Sequence, residues 1–326
     1  MLAVGENGAG KTNLLESLHV GTQGFSPRTR NDAQLVRFGA EAARIELAGD
    51  RAGTKLEVEL TLRPGDAKRA RVNGAALRAA EQLRAEVSTL VFTPDRLVVV
   101  KGGPAARRAY FDRTLGRLFP ARAGVPAEYA ASVAQRNAAL RRVAIGASSR
   151  DAVAPWTERV AELGSALVAA RAEAIDLLSP PFAERAAELG LPGAGLLYEA
   201  VPPTAEALDS RLDEDLDRGT TGLGPHLDDV GIAAEGRDLR RFGSQGEQRL
   251  AVLSLLLAEA QLLADRGPAP PLLLLDDVLS ELDERRRRAL AERLAGAGQT
   301  LITATGASAL PFEPSQLVEV VPGSAQ

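Results

Sequence analysis

The 326-residue sequence contains no cysteine and only two histidines, His19 and His226. Disulfide bonds and thiolate metal sites are therefore excluded, and two histidines are too few for a zinc site. The longest apolar runs fall far short of the length that spans a bilayer, and the N-terminus carries no secretion signal. We therefore expect a soluble protein of the reducing cytoplasm, with no membrane partner.

Apolar residues make up 45% of the chain and charged residues 25%, which is typical of a folded protein rather than a disordered one. The length favours two lobes over one, because single cores rarely grow this large. Strand patterns occupy both ends of the sequence, and helical patterns lie between them. We predict an α/β class, with one ATPase lobe at 1–98 plus 221–326 and an inserted, mainly α-helical lobe at 99–220.

The inserted lobe contains one clear amphipathic helix. Apolar residues recur at alternating spacings of four and three, from Trp156 to Leu177. The pattern predicts that Trp156 belongs to the core and that the helix ends at Ser179-Pro180-Pro181, because proline lacks the N–H that a helix interior needs. The helix is too short to form a long coiled-coil arm.

A phosphate-binding loop follows the short apolar strand at residues 2–4. The segment satisfies G-x-x-x-x-G-K-[ST] and leads into a helical pattern, which is the context that the motif requires. Its residues are Gly5, Glu6, Asn7, Gly8, Ala9, Gly10, Lys11 and Thr12. Backbone N–H groups and the helix N-terminus would hold the phosphates of ATP, Lys11 would neutralise their charge, and Thr12 would offer a hydroxyl to Mg²⁺.

Two carboxylates end the apolar run Pro271–Leu275, which is typical of a buried parallel strand. Ligands bind at the carboxyl ends of such strands. Asp276 is placed to hold Mg²⁺, and Asp277 beside it to orient or deprotonate the attacking water. Together with the loop, this pair predicts a nucleotide hydrolase in which Lys11 and Asp277 are the catalytic residues.

A second candidate phosphate site precedes a long apolar helix. Its residues are Ser244, Gln245, Gly246 and Glu247. Ser244 can cap the helix, and Gly246 keeps the backbone open to a ligand. As an isolated string this motif is equally well explained as a plain helix cap. Its position between the loop and the acidic strand favours the nucleotide-binding interpretation.

The order and spacing of these motifs, with Ser280-Glu281-Leu282-Asp283 after the acidic pair, resemble those of an ABC-type ATPase head. Within that superfamily, GENGAGKTNLLESL, LVFTPDRLVVVKGGPAARRAYFD, TTGLGPHLDD and SQGEQRLAVLSLLLAEAQLL match the RecF family in order. The resemblance implies ATP and Mg²⁺ as cofactors and an ATP-dependent homodimer in which Ser244 and Gly246 of one copy face the nucleotide of the other. Asp283 would then line the dimer seam. The sequence starts closer to the loop than family members usually do, so a shortened sheet edge and adenine pocket are expected.

The RecF resemblance also implies binding to double-stranded or gapped DNA, slow hydrolysis, and cooperation with the RecO and RecR proteins in loading recombinase during DNA repair and replication. Residues 101–150 contain ten basic residues and only two acidic ones. The candidate DNA contacts are Arg107, Arg108, Arg136, Arg141 and Arg142. Solvated helix faces, or ion pairs with the acidic run Asp209–Asp217, would explain the same charges. His226 is interpreted as structural, and Leu227 stands where the family tends to carry a basic residue.

Three other classes share the loop. A small-molecule kinase or GTPase does not need the Ser244–Glu247 motif that precedes the acidic strand. The N-K-x-D motif with which GTPases recognise guanine is absent from the sequence. A transporter-type ATPase subunit usually carries a histidine after the last strand, where Thr303 and Thr305 stand. An SMC-like structural clamp that closes on ATP with little turnover stays open as an alternative.

Overall fold

The computed structural model describes residues 1–51, 53–280, 282–307, 310–311 and 313–325. Chain packing defines two compact units. The first comprises Met1–Arg96, Glu188–Gly190 and Leu256–Gln326, and the second comprises Leu97–Ala187 and Leu191–Leu255.

The strands are β1 Leu2–Val4, β2 Ala43–Arg51, β3 Thr54–Leu62, β4 Arg69–Val72, β5 Ala75–Ala76, β6 Thr89–Phe92, β7 Ala194–Leu197, β8 Gly231–Ala234, β9 Arg237–Asp238, β10 Leu272–Leu275, β11 Thr300–Ala304, β12 Leu317–Val321 and β13 Ser324–Ala325. The α-helices are α1 Lys11–Gln23, α2 Val98–Lys101, α3 Pro104–Leu118, α4 Val125–Ala144, α5 Ala154–Glu188, α6 Ala205–Asp209, α7 Leu212–Arg218, α8 Leu239–Phe242, α9 Gln245–Arg266 and α10 Glu284–Leu294.

A six-stranded sheet forms the centre of the first unit, in the order β13-β12-β1-β11-β10-β6. Five neighbouring strands run parallel, namely β12, β1, β11, β10 and β6, and β13 pairs antiparallel with β12. Strand β10 is a run of four leucines whose last three are fully buried, as expected where both faces of a sheet are covered. Because β1, β11 and β10 are adjacent and parallel, the segments that follow them meet at one edge of the sheet. The mixed sheet confirms the predicted α/β class.

A second, antiparallel sheet in the first unit has the order β2-β3-β4-β5. On β3, Val58, Leu60 and Leu62 are at most 3% exposed, whereas Glu57 and Glu59 are exposed, as expected for a strand with one buried face. Helix α1 packs on this buried face: a Cβ added at Gly21 would lie 2.6 Å from the Leu47 side chain on β2.

The second unit is built mainly from the helices α3, α4 and α5. Tyr129 and Val133 of α4 pack with Val160, Leu163 and Leu167 of α5 in a common core. A small antiparallel sheet, β7-β8-β9, completes the unit. No helix within the described part of the chain has both the length and the apolar character that crossing a bilayer requires.

Helix α5 differs from its prediction at both ends. It continues through Pro180 and Pro181 to Glu188, and Trp156 at its start is 36% exposed rather than part of the core. A proline inside a helix costs about 3 kcal/mol. Leu178 and Phe182, on either side of the prolines, are both 0% exposed, and burying each contributes about 1.5–3 kcal/mol. The free energy of burying these side chains therefore outweighs the cost of the prolines, and the helix continues to Glu188.

The two compact units differ from the predicted lobes on the C-terminal side. The prediction placed all of 221–326 with the ATPase lobe, whereas 221–255 pack within the second unit. Strand β8 pairs with β7 on one side, so residues 231–234 are tied to the segment at 194–197 by backbone hydrogen bonds. Local sequence patterns do not reveal strand pairing of this kind. The functional division into an ATPase lobe and an inserted lobe stays a prediction.

Candidate nucleotide site

The glycine-rich loop connects β1 to α1 at the carboxyl edge of the main sheet. Gly8 and Gly10 have φ angles of 84° and 108°, which side chains other than glycine rarely adopt. A Cβ added to either would meet no atom within 4 Å, so the backbone there faces open space that a Cβ would enter. Gly5 serves packing instead, because a Cβ there would lie 2.3 Å from the Val320 carbonyl oxygen. The loop thus has the open backbone that close approach of a phosphate requires.

Lys11 opens α1 directly behind this loop. Its Nζ donates hydrogen bonds to the carbonyl oxygens of Gly5 and Glu6, at 2.7 and 2.9 Å. The ammonium group is therefore held against the loop backbone. Its position brings a positive charge to the same place as the open glycine backbone, which suits binding of a polyphosphate.

Thr12 and Asp276 lie side by side although 264 residues separate them. The Thr12 hydroxyl is 3.2 and 3.1 Å from the Oδ1 and Oδ2 atoms of Asp276. Asp276 is only 6% exposed, and its Oδ1 also accepts a hydrogen bond of 2.7 Å from the hydroxyl of Thr303. The structure thus brings together the two residues that the sequence predicted as Mg²⁺ ligands.

The donor set at this point fits Mg²⁺ that arrives with a nucleotide. It offers one carboxylate and one hydroxyl, and no group of three or more His, Cys, Asp or Glu able to hold a metal occurs among the described residues. Mg²⁺ in nucleotide sites typically takes one or two protein oxygens and completes its shell with phosphates and water. A site that held its metal through protein side chains alone would need more ligands than these.

Asp277 differs sharply from its neighbour, because its side chain is exposed to solvent. Its φ angle of 47° is unusual for a residue with a side chain. The backbone N–H of Asp277 donates a 2.9 Å hydrogen bond to the Thr303 hydroxyl. One carboxylate is thus buried beside Thr12 and the next is open to water, and the separate roles predicted for the pair stay a prediction.

The segment after the acidic pair is described except for Glu281, which lies outside the described residues. The Ser280 hydroxyl donates to the Asp277 carbonyl oxygen at 3.1 Å. Asp283 caps helix α10 by accepting a 2.9 Å hydrogen bond from the Arg286 N–H. Asp283 therefore has a local structural role, whatever surface it lines.

In the second unit, the residues of the second candidate phosphate site form the N-terminus of α9. Ser244 and Glu247 make a reciprocal capping box: the Ser244 N–H donates to Glu247 at 2.7 Å, and the Glu247 N–H donates to the Ser244 hydroxyl at 3.2 Å. The first of these bonds holds the pKa of Glu247 below its ordinary value. Ser244, Gln245 and Gly246 are exposed, and a Cβ at Gly246 would meet only the Ser244 hydroxyl, at 4.0 Å. The helix end is therefore both ordered and open.

Comparison with known proteins identifies the family. The profile of the RecF/RecN/SMC N terminal domain matches residues 1–321. The DNA replication and repair protein RecF of Acidothermus cellulolyticus is 38% identical over 320 residues, covering 92% of this chain and 86% of its own. Its counterpart in Synechococcus sp. is 36% identical over 321 residues, covering 93% and 84%. This chain belongs to the RecF family.

Solved structures agree with this assignment. The recombination mediator protein RecF in its ATP form shares 27% identity with a TM-score of 0.86, over all of this chain and 90% of that one. An Smc head bound to the C-terminal winged-helix domain of ScpA gives a TM-score of 0.60 at 16% identity, which shows a shared fold alone. The RecF likeness thus confirms the predicted ABC-type ATPase head.

Two of the five arginines that the RecF resemblance suggested as DNA contacts are buried. Arg136 is 0% exposed and pairs with Asp215, also 0% exposed, at 2.6 Å. Arg107 is 3% exposed and binds both carboxylate oxygens of Asp229 at 2.6 Å. Burial acts to raise the pKa of Asp229, but Arg107 brings it below its ordinary value. We therefore remove Arg107 and Arg136 from the candidate DNA contacts, because their charges are paired inside the second unit.

The other three arginines are more accessible. Arg108 is half-buried and donates a 2.5 Å hydrogen bond to the Asp228 carbonyl oxygen. Arg141 and Arg142 are exposed in the last turn of α4, and the one hydrogen bond of Arg141 to the described residues is to the Gly219 carbonyl oxygen, at 3.4 Å. Within the described ranges Arg142 makes no ion pair. Arg141 and Arg142 are thus the candidates free to bind phosphate.

The histidine of the GPH segment has a structural position. His226 Nδ1 lies 2.7 Å from the Tyr129 hydroxyl, and its Nε2 lies 3.0 Å from the Thr221 carbonyl oxygen. Because a carbonyl can only accept, Nε2 carries the proton and Nδ1 accepts from Tyr129. Burial lowers the pKa of His226, so the ring is neutral near pH 7. Leu227, next in the chain, is 57% exposed.

Replacing Arg136 with methionine should destabilise the protein by about 3–5 kcal/mol, because Asp215 would keep a buried charge without its partner. The midpoint of urea unfolding would measure the loss. Arg141→Met, on the exposed part of the same helix, is the matched control and should change stability by about 0.5 kcal/mol or less. Equal effects of the two substitutions would contradict a buried ion pair.

Sequence patterns missed Thr303, which touches both acidic residues. Thr303 was noted in the sequence only because transporter-type ATPases usually carry a histidine in that region. The available signal was strand pairing: Leu275 lies opposite Ile302, so the residues after them, Asp276 and Thr303, are neighbours at the edge of the sheet. Finding this pair requires the strand order, which no local motif supplies.

Proposed function

We propose that this chain is an ATP-dependent, DNA-binding recombination mediator that dimerises with ATP and Mg²⁺ on duplex or gapped DNA. The observation that carries the proposal is the Thr12–Asp276 contact beside the open loop, with Asp277 exposed next to it. The RecF relatives in DNA replication and repair support the wider role. In this role the protein hydrolyses ATP slowly and helps RecR and RecO partners load recombinase.

In the proposed ATP site, the backbone of Gly8 and Gly10 binds the phosphates, together with the N-terminus of α1. Lys11 neutralises phosphate charge, and Thr12 and Asp276 hold Mg²⁺. The bound metal would neutralise negative charge as it develops on the phosphates. The exposed carboxylate of Asp277 orients the attacking water and accepts its proton.

A second copy of the chain would complete the site. The capping box occupies the N–H groups of Ser244 and Glu247, so within the described residues those of Gln245 and Gly246 are left at the exposed start of α9. Such a helix end binds anions through its dipole and its free N–H groups. We propose that Ser244, Gln245, Gly246 and Glu247 of one copy approach the ATP bound to the other, so that nucleotide is shared between two chains.

The proposed DNA surface lies at the end of α4. Arg141 and Arg142 project there without carboxylate partners among the described residues, and Arg108, on α3, is partly exposed. Contacts of this type bind phosphate and fix position without reading bases. Dimerisation would bring two such surfaces onto one duplex, and the second contact would then form at high effective concentration.

The test of this surface is a salt series of DNA binding. The slope of log affinity against log salt falls by about 0.9 for each phosphate that the protein no longer neutralises, so the double reversal Arg141→Glu with Arg142→Glu should flatten the slope by about 2. Relative affinity for different duplex sequences should not change, because phosphate contacts carry no sequence information.

The matched control is the double reversal Arg63→Glu with Arg69→Glu, which makes the same change in net charge at exposed positions of the first unit. A slope that falls equally in both variants would show a general charge effect and would move the DNA surface away from α4. If the affinity of the wild-type protein for DNA depends on neither salt nor ATP, the mediator proposal is wrong and another ATPase class is favoured.

A further inference from the structure

Thr303 occupies a point that no motif of the sequence defined. It lies near the end of β11 between the loop strand β1 and the acidic strand β10, and it is 1% exposed. Its hydroxyl makes two hydrogen bonds, to the carboxylate of Asp276 at 2.7 Å and to the backbone N–H of Asp277 at 2.9 Å. One buried oxygen atom therefore joins the two acidic residues of the proposed site.

The direction of both hydrogen bonds follows from the groups involved. The Asp277 N–H can only donate, so the Thr303 oxygen accepts from it. The single hydroxyl proton is then left for the Asp276 carboxylate, which can only accept when ionised. A β-branched side chain in a strand has few alternative rotamers, so this arrangement is fixed by the backbone of β11.

The bond to Asp276 determines which carboxylate oxygen is available. Thr303 engages Oδ1 at 2.7 Å and not Oδ2, while the Thr12 hydroxyl lies at nearly the same distance from both oxygens, 3.2 and 3.1 Å. A hydrogen bond from outside the ligand set orients a metal-binding carboxylate and is itself important for metal affinity. Thr303 thus holds the Asp276 carboxylate in place beside the Thr12 hydroxyl and leaves Oδ2 without a bond from Thr303.

The bond to Asp277 supports a strained backbone. Asp277 has a φ angle of 47°, which costs free energy for any residue with a Cβ and persists only where the surroundings enforce it. Thr303 accepts the N–H of this residue, and Asp277 in turn accepts from the Ser280 hydroxyl at its carbonyl oxygen. The turn that exposes the Asp277 carboxylate is therefore held from both sides.

We propose that Thr303 is a positioning residue of the nucleotide site, which orients Asp276 toward Mg²⁺ and holds Asp277 in the turn that presents its carboxylate to water. The inference rests on the proposed Mg²⁺-dependent ATPase function. It assigns a role in metal affinity and in turnover to a residue that contacts neither the nucleotide nor the attacking water.

Thr303→Val removes the hydroxyl and keeps the shape of the side chain. The Mg²⁺ concentration for half-maximal ATP binding should rise about tenfold and turnover should fall about tenfold, each equivalent to about 1.4 kcal/mol. ATP binding measured in EDTA should stay within about twofold of wild type, because the loop and Lys11 are untouched. Thr303→Ser restores the hydroxyl and should recover most of both properties.

Thr300→Val is the matched control, since Thr300 is a buried threonine of the same strand whose hydroxyl makes no hydrogen bond to any described residue. It should leave the Mg²⁺ midpoint and the turnover unchanged. Thr303→Val is used only if it unfolds in a cooperative thermal transition. Otherwise Thr303→Cys, whose thiol is a weaker donor of similar size, replaces it. It should shift the Mg²⁺ midpoint in the same direction.

The outcomes separate this inference from the proposed function. A wild-type protein that binds no ATP overturns both. A wild type that binds Mg²⁺ and ATP, with Thr303→Val indistinguishable from Thr300→Val, overturns the role of Thr303 alone. A right-shifted Mg²⁺ midpoint that Thr303→Ser restores supports it, because a merely structural loss would lower ATP binding in EDTA as well.

Discussion

Lys11→Ala should reduce ATP affinity by about 100-fold or more, because a charge-assisted hydrogen bond to phosphate contributes about 1.5–3 kcal/mol and the ammonium group can serve two phosphates. The geometry supports this size of effect: Lys11 is held against the loop carbonyl oxygens of Gly5 and Glu6, where the glycine backbone is open. Titration with a fluorescent ATP analogue in the presence of Mg²⁺ would measure it.

Two further variants serve as a control and as a separate test of turnover. Lys55→Ala removes an exposed lysine from β3 in the same unit and should bind ATP as the wild type does. Asp277→Asn should retain ATP affinity while turnover falls, since only the carboxylate facing water is lost. ATP affinity that survives in Lys11→Ala would refute the phosphate-binding role of the loop.

Ser244→Arg should block ATP-driven dimerisation while leaving ATP binding to the monomer intact. A bulky cation would replace the small hydroxyl at the open N-terminus of α9, where the proposed partner nucleotide lies, and it would clash there. Sedimentation velocity with and without ATP would show a wild type that shifts from monomer to dimer and a variant that stays monomeric.

Two controls separate the cation from other consequences of the substitution. Ser244→Ala removes the cap of α9, worth about 1 kcal/mol, without adding bulk, and should still dimerise. Ser210→Arg adds the same cation at another exposed serine of the second unit and should also dimerise. Normal dimerisation and turnover in Ser244→Arg would show that α9 does not act on a partner's nucleotide.

Local motifs predicted structure well where it depends on residues close together in the sequence. The loop from Gly5 to Thr12 needs an open backbone and a following helix, and both are visible in a short stretch of sequence. Strand β10 lies within the apolar run Pro271–Leu275 that predicted it, because a buried parallel strand is a continuous apolar stretch. Strand order, however, is set by long-range packing, so the neighbourhood of Asp276 and Thr303 could not be inferred from either segment alone.

Counting charges along the sequence was the least reliable way to predict DNA contacts. The basic excess at residues 101–150 is real, but it does not distinguish Arg136, which pairs with Asp215 inside the protein, from Arg142, which faces solvent. The partner carboxylates lie 79 and 122 residues away from Arg136 and Arg107, respectively. Helix α5 shows the same limit, because the buried side chains beside Pro180 and Pro181 decide whether the helix continues.

The most direct test of the central claim is the oligomeric state of the wild-type chain without nucleotide, with ATP and Mg²⁺, and with ATP, Mg²⁺ and duplex DNA. Sedimentation velocity on one protein preparation can follow all three conditions. The proposed function predicts a monomer without nucleotide, a dimer with ATP and Mg²⁺, and a larger dimer–DNA complex when duplex is added. A chain that binds ATP and yet stays monomeric in all three conditions would contradict a nucleotide site shared between two copies.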